Sequence, residues 1–175
     1  MLIPYACVIS LMFLSVIFSA ISLFTYGWAT IYPFDYDYFY PDEEILVGLV
    51  PFDSFAPGWL VATSIFMYLN FACVLLTFFI CIIGLIIFML RGDSKYQKYM
   101  FVLICGSSLL TAIFGAVAFV IFVASNDGEL EMDLQGKVSI GYSPFLDLIG
   151  FVIAIIGTGV SAFFTIALLN PNNEI

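Results

Sequence analysis

The chain has no histidine, and charged residues make up only 10% of its 175 positions. Without histidine there is no imidazole base and no imidazole metal ligand. Basic charge is scarcer still: four Lys and Arg stand against 13 Asp and Glu, for a net charge of −9. The four cysteines, Cys7, Cys73, Cys81 and Cys105, all fall inside apolar runs, and no CxxC occurs. A disulfide framework in the polar segments is therefore excluded, whatever the redox compartment. The cysteines read as small apolar packing residues, with Cys7 also a palmitoylation candidate. No Asn-x-Ser/Thr sequon is present, so N-glycosylation is not expected.

What fills the chain is hydrocarbon. Hydrophobic residues reach 63% and the mean hydropathy is +1.15. The 32 residues Trp59–Leu90 contain no ionised side chain. Leu2–Trp28, Tyr99–Ser125 and Phe145–Leu169 are alike, apart from Asp147 in the last. A helix needs about 20 apolar residues to cross a bilayer, and soluble core helices of this length carry a polar face. The chain is read as an all-α membrane protein of one domain: a left-handed bundle of four transmembrane helices, with a small antiparallel β-sheet formed by two extracellular loops. The spans are placed at about 3–28, 59–90, 99–125 and 145–169, and the tail at 170–175. The first run lacks a basic leader segment and exceeds the roughly 7–15 apolar residues of a signal peptide, so it is read as a retained span. At ~1.5 Å per residue the second span would reach ~48 Å as a helix, so it is expected to tilt or project.

Orientation follows from the few basic residues. Arg91, Lys95 and Lys98 lie in the 91–98 loop, and Lys137 is the fourth. Short basic loops stay cytosolic. Both termini are then cytosolic, and loops 29–58 and 126–144 are extracellular, in a plasma-membrane protein. The tetrapeptide Arg91-Gly92-Asp93-Ser94 resembles an integrin ligand, but this orientation hides it, and it reads as a helix–helix turn.

Small residues four apart mark close helix contacts in lipid. Ser107, Thr111 and Gly115 form one such stripe, with Ser108, Ala112 and Ala116 beside it. Gly150, Ala154, Thr158 and Ala162 form another, flanked by Gly157 and Ser161. Ser15, Ser19 and Ser22 serve the first span, and Cys73, Thr77 and Cys81 the second. Asn70 is the lone amide and Asp147 the lone acid within the spans so drawn. Asp147 follows Pro144 by three residues. It is expected in the first turn of the last helix, at the membrane interface, where a carboxylate complements the helix dipole.

The first loop holds Asp35, Asp37, Asp42, Glu43, Glu44 and Asp53 with no Lys or Arg. Its aromatic run Phe34–Tyr40 alternates with strand periodicity, and Ile45–Val50 is a second candidate strand. Glu129–Leu134 and Lys137–Tyr142 are candidates in the second loop. The acidic surface repels nucleic acid and attracts cations or basic partners, so Asp35, Asp37, Asp42, Glu43 and Glu44 are the candidate partner-binding residues. Asp35, Asp37, Asp42 and Glu43 are also candidate cation contacts, although their spacing matches no known calcium loop. The acid-flanked tyrosines are candidates for sulfation.

At this point the residues resemble a family. The span pattern and the motifs Gly27-Trp28, closing span one, and Gly141-Tyr142-Ser143, opening span four, are similar to the claudin superfamily. That group includes claudins, peripheral myelin and epithelial membrane proteins, and calcium-channel gamma and AMPA-receptor auxiliary subunits. The motifs are closest to its nematode Clc-like branch. The claudin Trp…Gly-Leu-Trp-Cys…Cys pattern is missing apart from Trp28, which points to a divergent member. Asn173 stands where a common PDZ ligand has Ser or Thr. The resemblance implies a non-enzymatic protein without cofactor, acting as an accessory subunit or organiser of a channel or receptor. Cell–cell adhesion or a paracellular barrier is the alternative. Its partners would be membrane lipid and another membrane protein, or a second copy of itself. The uncharged spans lack the acid rows and broken helices of a pore or transporter, no catalytic constellation can be assembled, and the second loop lacks the cysteines of a tetraspanin.

The orientation is testable with single cysteines at positions 94 and 54 on intact cells. An impermeant maleimide should label Ser54→Cys and spare Ser94→Cys, and the reverse would invert the topology.

Overall fold

A computed structural model of the chain describes residues 2–33, 45–49, 58–91, 94–126 and 136–169. Among them are four long helices, α1 (Leu2–Phe24), α2 (Gly58–Arg91), α3 (Ser94–Asn126) and α4 (Ser143–Leu169). Each is long and apolar enough to cross a membrane. Neighbours pack in the ring α1–α2–α3–α4–α1, which leaves α2 and α4 diagonal to one another. One end of the bundle is closed by the α2–α3 hairpin, and both longer loops leave from the other.

Helix bounds depart from the apolar runs for local reasons. α1 stops at Phe24, four residues short of Trp28, where Thr25 donates both N–H and Oγ1–H to Ile21 O, at 3.1 and 2.7 Å. Gly27 and Trp28 then lead the chain into a strand. α3 begins at Ser94, so Lys95, Tyr96, Gln97 and Lys98 are helical and not loop. Lys and Gln have good helix propensity, and no hydrocarbon is needed to form the turn. α4 begins at Ser143, with Pro144 in the first turn where a missing N–H costs nothing. At 34 residues α2 extends about 51 Å, well beyond a ~30 Å hydrocarbon core.

The loops contribute three short strands, β1 (Ala29–Pro33), β2 (Ile45–Val47) and β3 (Gly136–Ile140), in the order β2-β1-β3 with both pairings antiparallel. β1 pairs Ala29 with Ile140 and Pro33 with Gly136. The first strand thus precedes the aromatic alternation expected to form it. Phe34–Tyr40 and Glu129–Leu134 lie outside the described residues, as do Arg-Gly-Asp positions Gly92 and Asp93. β1 leaves α1 and β3 enters α4, so the sheet ties together two helices that are neighbours in the ring.

Two apolar clusters fill the bundle. At the loop end Leu23, Trp28, Leu49, Met67, Ala118 and Phe122 are buried together. At the hairpin end Tyr5, Val8, Met12, Cys81, Phe101 and Ile104 do the same, with the Tyr5 and Phe101 rings 4.7 Å apart. All four cysteines are free thiols; Cys7 is exposed, Cys81 buried, and Cys73 and Cys105 half-buried.

Small residues sit where helices approach. A Cβ on Gly115 would lie 2.9 Å from the Phe151 Cβ and 3.3 Å from Asn70 Nδ2. Gly150 is buried against Phe18 and the backbone of Ser19, and Ser15 donates to its carbonyl at 2.9 Å. Ala154 and Thr111 are buried. Gly157 faces the terminal methyl of Met12. Ser107 departs from the expectation. It is half-buried and donates to its own helix, to Leu103 O at 2.9 Å, while Ser108 makes the bond to Thr158 Oγ1 on α4 at 2.8 Å. One residue of helix is a turn of about 100°, enough to move the contact from one stripe to the next.

Gly115→Leu and Gly157→Leu should both overpack the bundle, at roughly 1–3 kcal/mol each. The environments differ, so the alanine variants should separate. Gly115→Ala meets a Cβ fixed to its backbone and should lower the melting temperature in detergent. Gly157→Ala meets the mobile end of Met12 and should lower it less. Equal melting of the two would remove this distinction.

Candidate functional site

Between the two apolar clusters lies a polar layer assembled from every helix. Asn70 on α2 donates Nδ2–H to Asp147 Oδ1 at 3.1 Å and to Ser19 Oγ at 3.3 Å. Asn70, Asp147 and Ser19 are at most 1% exposed. Gly115 of α3 completes the layer, because its missing side chain makes room for the amide. The Asn70–Asp147 bond runs between diagonal helices and so crosses the bundle axis. Asp147 is thus not in the first turn of its helix. With α4 starting at Ser143 it sits in the second turn, 0% exposed, with a side-chain partner in place of free backbone N–H groups. Burial and the amide opposite it account for its position better than the helix dipole does.

The loop end is closed by a second set of bonds. Gly141 N–H donates to Trp28 O at 2.9 Å, and Ser143 N–H to Gly27 O at 2.9 Å. Ser22 Oγ donates to Ser143 O at 2.8 Å, and the Ser143 and Thr25 hydroxyls share a bond at 2.7 Å. Trp28 Nε1 reaches back to Ser22 O at 2.6 Å, so the indole is wholly buried yet satisfied. Its ring stands edge-on to Phe122, with centroids 4.9 Å apart. A Cβ on Gly141 would overlap the carbonyl of Gly27, and one on Gly27 the ring of Tyr142. The residues that carried the family resemblance, Gly27, Trp28, Gly141, Tyr142 and Ser143, therefore meet at one place. The two glycines are there because backbone approaches backbone, or a ring, more closely than any side chain permits.

Asp35, Asp37, Asp42, Glu43 and Glu44 lie outside the described residues. Among the described residues no group of three or more His, Cys, Asp or Glu could hold a metal ion. Sequence reasoning singled out Asn70 as the lone amide and Asp147 as the lone acid within the spans but did not pair them. The signal available was their rarity, since polar side chains in lipid are held against partners.

The architecture and its loop-end closure define a four-span integral membrane protein of the claudin type. The chain matches the profile of the claudin-like tight junction protein family over residues 1–169, and it belongs to that family. No curated protein sequence matches it.

Glycines in close contact and glycines in the open give opposite expectations. Gly141→Ala should destabilise by roughly 1–3 kcal/mol, because the obstacle is backbone and cannot swing away. Gly106 and Gly159 face nothing within 4 Å. Alanine there should be neutral or add up to about 1 kcal/mol of helix propensity. Melting of the three variants in detergent checks this, and a tolerated Gly141→Ala would count against the closure.

Proposed function

We propose that this protein is a non-enzymatic accessory subunit or organiser of another plasma-membrane protein, a channel or receptor, with both termini in the cytosol. The observation that carries this reading is where the polar groups go. Ser15, Ser19, Ser22, Asn70, Ser108, Asp147 and Thr158 bond within or between the chain's own helices, and the axis is crossed by an amide–acid bond. Among the described residues these interior groups are engaged with one another, which supports a reading in which function belongs to the surfaces. Two surfaces remain: the outward helix faces, and the acidic loop carrying Asp35, Asp37, Asp42, Glu43 and Glu44. A basic partner surface relieves the mutual repulsion of those acids.

Adhesion or a paracellular barrier is the second reading, and the family's description as tight junction proteins favours it. The acidic loop would then face a second copy, or line a surface that attracts cations.

Affinity purification in mild detergent with mass spectrometry tests the first reading, which expects one reproducible channel or receptor. Strands of the protein alone at cell contacts would replace it with the second. Changing Asp35, Asp37, Asp42, Glu43 and Glu44 to Asn or Gln should leave melting intact and weaken the association. Rising salt should weaken it too, since exposed charges are screened within about 8 Å at physiological ionic strength. A complex indifferent to both would assign recognition to the helices.

A further inference from the structure

The polar layer has a donor missing. Both hydrogens of the Asn70 amide are used, one on Asp147 Oδ1 and one on Ser19 Oγ. The pair's other two oxygens, Asn70 Oδ1 and Asp147 Oδ2, are buried without a hydrogen-bond partner. An amide oxygen accepts and a carboxylate accepts. No rearrangement of an amide and an ionised carboxylate satisfies both oxygens, and the Ser19 hydroxyl bonds to neither. The one donor the pair could supply for itself is a hydrogen carried by the acid.

Among the described side chains no countercharge is at hand to hold the acid as an anion. α1 has no charged residue, and α4 has Asp147 alone. The charges of α2 and α3, at Arg91, Lys95 and Lys98, belong to the hairpin end. In the sheet, Lys137 stands opposite Tyr32, at the far end of β3 from α4. Of the titratable neutral groups near Asn70 on α2, Tyr68 is exposed and Cys73 half-buried. An uncompensated charge enclosed in this way is among the costliest arrangements a bundle can contain.

We propose that the Asp147–Asn70 pair is a proton-binding site. Asp147 carries the proton on Oδ2 and donates it to Asn70 Oδ1, while Asn70 Nδ2 donates to Asp147 Oδ1. Acid and amide thereby close a neutral two-bond ring across the bundle axis. With Ser19 accepting the second amide hydrogen, the amide and carboxyl groups have no idle donor and no idle oxygen.

Infrared spectroscopy of the purified protein in detergent at neutral pH tests this. The wild type should show the C=O stretch of a protonated, hydrogen-bonded carboxylic acid. Asp147→Asn should lose that band, and Asn70→Leu should shift it to the position of an unbonded acid. A wild-type minus Asp147→Asn difference containing carboxylate bands alone would overturn the proposal. Labelling the wild type with carboxyl-13C aspartate reads the same carbonyl if a variant fails to fold, and absence of a labelled protonated band overturns it equally. Melting supplies a second readout. Asp147→Asn restores the missing hydrogen through its own amide and should melt near the wild type, well above Asp147→Ala. If it falls as far as Asp147→Ala, the hydrogen is not what the site needs. Exchanging sodium for choline should leave wild-type melting unchanged. A sodium-dependent stabilisation abolished by Asp147→Asn would make the ligand a cation instead.

Discussion

A polar group inside this bundle can be satisfied only by the bundle, because hydrocarbon offers it nothing. The bond between Asn70 and Asp147 is where that constraint is tightest. It joins helices that are not neighbours, it lies between two apolar clusters, and it needs Gly115 on a third helix and Ser19 on the fourth. Lipid provides no hydrophobic drive for helices to associate, so shape and hydrogen bonds decide which faces meet. An interhelical hydrogen bond in a membrane contributes on average only ~0.6 kcal/mol. Its larger effect is exclusion. A register that parted Asn70 from Asp147 would leave buried groups unpaired, at about 1–3 kcal/mol each and more for a charge. The pair thus selects one packing among several that the apolar faces alone would tolerate.

The same reasoning explains the distribution of serine and threonine. Ser15 and Ser22 donate to carbonyls on α4, and Ser108 bonds Thr158. Thr63, Ser64 and Thr77 instead return to carbonyls four residues back on α2. The α1–α4 and α3–α4 contacts are therefore polar as well as close, whereas α2 uses its hydroxyls to satisfy itself. α2 is also the longest helix, at 34 residues, and besides Asn70 it buries Thr63, Ser64, Met67, Val74, Thr77 and Cys81. Its outward face at Ile65, Tyr68, Leu69, Leu76 and Phe79 is left to lipid or to another protein.

Much of this was legible from the amino-acid sequence, and the rest was not for identifiable reasons. Uninterrupted apolar runs located all four helices, because a bilayer imposes length and composition together. Ends were less well placed. Nothing in the hydropathy of Phe24 to Trp28 separates helix from the start of a strand, and Lys95 to Lys98 form helix without being apolar. Two of the expected strands, Ile45–Val50 and Lys137–Tyr142, overlap β2 and β3, while β1 was not anticipated, since it owes its position to β3, more than a hundred residues away in the chain. Local alternation in the aromatic run carries no information about that partner. Asn70 and Asp147 were conspicuous by rarity, yet they are 77 residues apart, and composition does not encode the relative register of two diagonal helices. Gly27, Trp28, Gly141, Tyr142 and Ser143 were recognisable as motifs, while their meeting in one closure depended on α1 ending early.

That closure and the axial pair are not independent parts. Ser143 is fixed from three sides, by Gly27 O on its N–H, Ser22 on its carbonyl and Thr25 on its hydroxyl. Asp147 follows four residues later on the same helix, roughly one turn or ~6 Å below. Between them the chain is helical, and Leu146 N–H already bonds Tyr142 O at 3.2 Å. β3 enters α4 through Gly141, whose N–H is tied to Trp28. A movement of the sheet that kept these bonds would carry the first turn of α4 with it, and so the acid that faces Asn70. The loop-end closure, through Ser143, and the polar layer within the bundle, through Asp147, thus share one helical turn. The attachment of the sheet and the packing of the diagonal helices are set by the same few hydrogen bonds.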